Sequence, residues 1–168
     1  LSHEEHVGER LLSCGRPMLG GSVRIVDSDG KELPPYEVGE ILYRGENLMA
    51  GYWGRKDATA QAIRDGWFHT GDAGYVDEEG YIFLKDRIKD MIISGGENVY
   101  PAEVEGVLMG HPEVLECAVI GVPDAKWGET VKAVVVRRQG ASLGEAALIA
   151  WSRDKLAGFK RPSSVDFM

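Results

Sequence analysis

"GWFHTGDAGYVDEEGYIFLKDRIKDMIISGGENVYP", residues 66–101, holds the change of character on which the fold turns. Its first part, "GYVDEEGYIFLKDR", reads as a hairpin: two runs rich in aromatic and aliphatic residues across a "DEEG" turn. "KDRIKD" follows as a charged junction, and "MIIS" then starts a new short strand. Beyond the turn-forming "SGGEN", Pro101 suits the first turn of a helix that carries Val104, Val107 and Leu108 on one face.

On the N-terminal side the chain reads as short strands broken by turns. "SVRIVDSDGKEL" sets apolar residues around "DSDG", Pro34 and Pro35 mark a loop, and "GEILYRG" is another strand. "RKDATAQAI", residues 55–63, is the one helix expected there, with Asp57 as its N-cap. On the C-terminal side two buried-type strands, "ECAVIGV" and "TVKAVVVRR", come after the Pro101 helix. Ser142 and Glu145 have capping-box spacing ahead of a last helix that contains Leu148, Ile149, Trp151 and Leu156 and ends near Gly158. The fold class is therefore α+β: a β-rich, barrel-like subdomain over residues 1–88, then a small two-layer α+β unit over 89–168. A charged, glycine-flanked junction at Lys89 suits a hinge.

With 168 residues, 43% of them hydrophobic, the chain can build a core. Its 19 basic and 27 acidic residues give a formal net charge of −8, which opposes general binding to nucleic acid. Cys14 and Cys117 stand far apart with no CxxC or His/Cys cluster, so neither a disulfide framework nor a zinc site is expected. No apolar run approaches the roughly 20 residues of a membrane helix, and "LSHEEHVGER" is too polar for a signal peptide. A reducing cytoplasm is the expected compartment. The chain starts on Leu1 rather than Met, which suggests part of something longer.

The chemistry-bearing candidates lie in and after the opening stretch. In "HTGD", Asp72 could accept two hydrogen bonds from a vicinal diol such as a ribose, since an ionised carboxylate is acceptor-only; an Asx-type turn is the bland alternative. Arg87 could reach a phosphate or ribose oxygen with its rigid guanidinium, against the plainer option of an ion pair with Asp86 or Asp90. Gly95 and Gly96 let backbone approach a ligand closely, but neither GxxxxGK[ST] nor a strand-linked GxGxxG is present. His3 and His6 could share a helical face but lack a third ligand, so no metal site is expected. His69 and His111 read as structural, Trp127 as a core or rim aromatic, and nothing resembles a Ser-His-Asp triad.

Taken in order, "GEILYRGENLMAGYW", "GWFHTGDAGYVDEEGY", "KDRIKDMIISGGENVYPAEVE" and "GVPDAKWGE" closely resemble the adenylate-forming superfamily of acyl-CoA synthetases, luciferases and peptide-synthetase adenylation domains, from about Gly15 to Pro162. The resemblance implies a C-terminal fragment. The phosphate loop would lie upstream, and a "PxxxxGK" segment with the catalytic lysine would lie beyond Met168. Residues 1–88 would be the barrel-like end of the large domain and 89–168 the mobile lid. The implied reaction joins a carboxylic acid to ATP as an acyl-adenylate, after which a thiol displaces AMP. ATP, CoA and Mg2+ are the implied cofactors, with the Mg2+ ligands outside this chain.

On this sequence the resemblance makes Asp72 and Arg87 the contacts to ATP or AMP, and Lys89 the hinge. It makes Ser94, Gly95, Gly96 and Glu97 the lining of a pantetheine tunnel and Trp127 a tunnel-side aromatic. Phe159 and Arg161 resemble the pair that contacts the CoA nucleotide in some members, but Ser163 stands where a basic residue is often found. "SGGENVYPAEVE" resembles the acyl-CoA synthetase version of its loop, so CoA is expected rather than a carrier protein. The alternatives are a peptide-synthetase or luciferase-like member, and a non-enzymatic binding or assembly module. The chain alone is expected to be inactive and to expose apolar surface through which it can self-associate.

Overall fold

The computed structural model describes residues 7–168, so the His3 and His6 pair lies outside the described residues. The chain divides into two compact units, one ending at Ile88 and the other running Lys89–Met168.

The first unit is an open five-stranded antiparallel sheet, half of a barrel rather than a closed one. β1 (Ser22–Val26) pairs with β2 (Gly39–Arg44), and β2 with the long β4 (Trp67–Val76). The far edge of β4 carries β3 (Ile63–Arg64) at one end and β5 (Ile82–Arg87) at the other. The adjacent residues Ile25 and Val26 of β1, and Ile41 and Leu42 of β2, are buried, as is Ala73 of β4; since neighbours along a strand point to opposite faces, the sheet is covered on both sides here. The β4–β5 hairpin forms across the expected turn, where the Asp77 carboxylate accepts the Glu79 and Tyr81 backbone N–H groups. Its register slips between Ala73 and Gly74, a bulge that re-aims the strand beside Asp72.

The expected helix is α1 (Lys56–Ala62), but its N-cap is Arg55, which makes no side-chain cap. Asp57 instead sits inside the first turn, where a carboxylate meets the positive end of the helix dipole without capping it.

The second unit is a mixed sheet with two helices. β6 (Ile92–Ser94) and β7 (Glu97–Val99) form a tight hairpin, followed by α2 (Pro101–Met109) with Pro101 in its first turn. β8 (Val114–Asp124) and β9 (Gly128–Arg137) form a second, long hairpin. On its other edge β9 meets β6 at Ser94 and Gly128, and pairs in parallel with β10 (Ser164–Phe167). Val104 and Leu108 from α2, Val131, Ala133 and Val135 from β9, and Leu148 from α3 (Glu145–Ser152) make one fully buried core.

The last helix departs from the sequence reading at both ends. Gly144 is the N-cap, so Ser142 and Glu145 form no capping box; Glu145 reaches across to accept the Val165 N–H of β10 at 2.9 Å. The helix stops at Ser152, well short of Gly158. Side chains close its end: the Ser152 hydroxyl donates to the Ile149 carbonyl, Lys155 Nζ to that of Trp151, and Arg161 to that of Arg153 just past the helix. Leu156 lies past the helix yet is still buried.

Candidate functional site

Within the first unit, β4 and β5 make Asp72 and Arg87 register partners. Arg87 Nη1 lies 2.9 Å from Asp72 Oδ1. The two residues singled out separately thus meet each other, and neither plainer alternative describes their side chains. Asp72 makes no Asx turn; Thr70 supplies the local bond, its Oγ1 accepting the Asp72 N–H and donating to the Ile41 carbonyl. Arg87 pairs with Asp72 instead of Asp86 or Asp90, while its backbone N–H goes to the Asp86 carboxylate.

The turn ahead of Asp72 is held from β2. The Gly71 N–H donates to Glu40 Oε1 at 3.3 Å, and Glu40 Oε2 lies 2.9 Å from His69 Nδ1. Glu40 was not among the sequence candidates, although it stands in "GEILYRG". His69 thus braces Glu40 against the turn. The ion pair is half in water, with side-chain exposures of 54% for Arg87 and 28% for Asp72. A carboxylate with one oxygen held by a guanidinium keeps lone pairs for further donors, and the arrangement can therefore receive a polyol from the solvent side.

In the second unit a cavity of about 430 Å³ opens between the two hairpins and the turn at Gly158–Lys160, within the size range of small-molecule sites. Ser94, Gly95, Glu97, Trp127, Phe159 and Arg161 all line it. Gly96, the remaining member of that set, does not line it and has open space where a Cβ would stand. The wall also includes Thr130, Pro162 and Ser163, which local sequence could not reveal, because β9 and the segment before β10 are brought there only by the sheet.

Gly95 is required where it stands. Its φ is +62°, its N–H donates to the Trp127 carbonyl, and an added Cβ would lie 2.8 Å from Trp127 Cε3. The tryptophan is fixed in turn by Asp124, whose carboxylate accepts the N–H groups of Trp127 and Lys126. Those bonds hold the Asp124 carboxyl below the usual carboxylate range.

Opposite, Phe159 lies on a turn held by two straps. Lys160 Nζ reaches both oxygens of Glu103 on α2, at 2.8 and 2.7 Å. Arg161 donates from Nε to the Leu156 carbonyl and from Nη2 to that of Arg153. The Ser163 hydroxyl donates to the Val131 carbonyl. Lys89 opens the second unit in the turn Ile88–Asp90, its side chain 74% exposed and 3.9 Å from Asp90. Away from the cavity, burial beside Glu105 pushes the Cys117 thiol up to about 11. Among the described residues no grouping of three or more His, Cys, Asp or Glu could hold a metal ion, and no helix is long and apolar enough to cross a membrane.

The model of the AMP-binding enzyme family matches residues 2–53, and that of the AMP-binding enzyme C-terminal domain matches residues 103–168. A feruloyl-CoA synthase from Amycolatopsis sp is 55% identical over 162 residues, covering 96% of this chain and 33% of that protein. A fatty acid–[acyl-carrier-protein] ligase from Streptomyces coeruleorubidus is 48% identical, covering 96% and 31%. The solved o-succinylbenzoate CoA synthetase from Bacillus subtilis, in complex with its acyl-adenylate intermediate, superposes with a TM-score of 0.90 at 41% identity over 100% of this chain and 34% of its own. The chain belongs to the AMP-binding, adenylate-forming enzyme superfamily. It spans about a third of the length of the relatives it matches.

Proposed function

We propose that the chain is the C-terminal part of an AMP-forming acyl-CoA synthetase, whose reaction is carboxylic acid, ATP and CoA to acyl-CoA, AMP and pyrophosphate through an acyl-adenylate. The observation that carries this reading is the convergence of Ser94, Gly95, Glu97, Trp127, Phe159 and Arg161 on one cavity, in a chain 55% identical to a feruloyl-CoA synthase.

In this reading residues up to 88 belong to the adenylation domain and 89–168 form its lid, with Lys89 at the pivot. Asp72 accepts the ribose hydroxyls of ATP and then of the acyl-adenylate, and Arg87 holds that carboxylate in place while facing the ribose or phosphate. After adenylation the lid turns and presents the glycine hairpin. The small residues Ser94 and Gly95 leave room for a pantetheine arm, which Trp127 packs along, and its thiol attacks the acyl carbonyl as AMP leaves with the bonding electrons. Magnesium enters as the metal of the ATP substrate. The chain supplies only part of the machinery and is inactive by itself, since loss of even one preorganised transition-state donor costs about 10² to 10³ in rate. The working compartment is the cytoplasm.

The full-length enzyme, given a panel of aryl and aliphatic acids with ATP, should show acid-dependent exchange of pyrophosphate into ATP and should release acyl-CoA detectable by mass spectrometry. The carrier-protein ligase among the relatives supports a second acceptor, tested by offering a phosphopantetheinylated carrier protein in place of CoA. Exchange activity with transfer to the carrier protein alone would replace CoA as the acceptor, and absence of exchange with every acid would reject the reading.

A further inference from the structure

Four cations stand on the β8–β9 turn, on the part of β9 that flanks the cavity, and on the turn before β10: Lys126, Lys132, Lys160 and Arg161. Three are committed to protein acceptors. Lys132 Nζ lies 2.7 Å from Asp166, Lys160 is shared between both oxygens of Glu103, and Arg161 spends Nε and Nη2 on two backbone carbonyls. Lys126 is different. Its Nζ lies 4.3 Å from the centre of the Trp127 ring, and among the described residues no carboxylate or carbonyl accepts from it. Asp124, two residues before it, already accepts two backbone N–H groups of the same turn.

A cation resting on an aromatic face keeps its three N–H donors for a ligand, and the ring holds the ammonium where it is. Trp127 is at once a cavity wall and the surface beneath Lys126. A thiol substrate threaded past Trp127 would carry its phosphates outward, toward the rim. We infer that Lys126 is the phosphate-binding residue of this cavity, meeting a phosphate at the nucleotide end of the thiol substrate, and that Arg161 is a positioning residue which holds the Phe159 turn through the end of α3. The inference rests on the acyl-CoA reading above and deepens it.

The test compares three thiols in the full-length enzyme: CoA, dephospho-CoA and pantetheine, which carries none of the nucleotide phosphates. Lys126→Ala should raise KM for CoA about tenfold, as expected for one lost charge-assisted contact, while the pantetheine KM moves less than about twofold. Lys126→Arg should restore the CoA value, because the charge returns. Dephospho-CoA assigns the contact: a loss shared with CoA points to the diphosphate, and a loss confined to CoA points to the 3′-phosphate. Arg161→Ala should raise the KM of CoA and pantetheine together. Unchanged CoA kinetics in Lys126→Ala, or a CoA-selective loss in Arg161→Ala, would overturn the assignment. An enzyme that makes adenylate but no thioester with any of the three thiols would remove the acyl-CoA reading and this inference together.

Discussion

Asp72 and Arg87 are opposite members of one β4–β5 register pair, joined Nη1 to Oδ1 at 2.9 Å. The backbone ladder presets the contact, so little side-chain entropy is lost in making it. Both groups remain partly in water, which limits its worth to the fold. Asp72→Asn and Arg87→Ala should each lower the unfolding free energy of the chain by less than about 1 kcal/mol, the upper end for exposed pairs, in urea titrations followed by circular dichroism. In the full-length enzyme the same substitutions should raise KM for ATP by about tenfold or more, since each removes a charged contact to the nucleotide. A large stability loss with unchanged ATP kinetics would make the pair purely structural.

Gly95 combines a left-handed backbone with contact against Trp127. Gly95→Ala should cost about 1 to 2 kcal/mol of stability from backbone strain alone, with a further penalty as the indole is pushed aside. The indole is a cavity wall, so thioester formation should fall further than adenylation. Gly96→Ala, at φ +87° with nothing within 4 Å of its Cβ, carries the same backbone strain without the clash and serves as the control. Equal effects of the two substitutions on thioester formation would show that Trp127 does not define the passage.

Much of this was legible in sequence because it is local. The β4–β5 hairpin follows from its turn residues, and α2 from Pro101 and the spacing of Val104 and Leu108. The capping box at Ser142 was misread because Glu145 had a better partner in a strand 20 residues away, the Val165 N–H. The short β10 was missed for a related reason: "SVDF" carries little pattern of its own and forms by parallel pairing to β9. The pairing of Asp72 with Arg87 lies within the β4–β5 hairpin but was hidden by the bulge between Ala73 and Gly74, which shifts the register that turn counting alone would give, and the commitment of Arg161 to the Leu156 and Arg153 carbonyls depends on the irregular turns that follow α3.

Leu108 and Leu148 are fully buried where α2 and α3 cover the second sheet. Leu108→Ala should destabilise that unit by about 2 to 5 kcal/mol, the range for deleting a buried leucine side chain. The loss should appear as a separate, earlier unfolding transition if the two units melt independently, measured by differential scanning calorimetry.

The Cys117 thiol, raised to about 11 by burial, stays protonated at neutral pH, whereas Cys14 is exposed. At pH 8 a thiol reagent should therefore titrate one cysteine quickly and Cys117 only on unfolding. The linked stability has a defined sign. The folded state holds its proton more tightly than the unfolded chain, so this contribution is complete below the unfolded thiol value of about 8.5. It is lost as pH rises toward 11. Cys117→Ser should flatten the alkaline loss, and an unchanged pH dependence would remove Cys117 as its source.

The central claim is that one site serves two reactions because the chain pivots at Lys89, and the direct measurement is Lys89→Pro in the full-length enzyme with both half-reactions followed separately. Fixing φ at this position restricts rotation without touching the cavity or the Asp72 pair. The account predicts acid-dependent ATP–pyrophosphate exchange near the wild-type rate and acyl-CoA formation reduced by at least about tenfold, as for a gating step that no longer completes. Equal loss of both half-reactions, or retention of both, would contradict it.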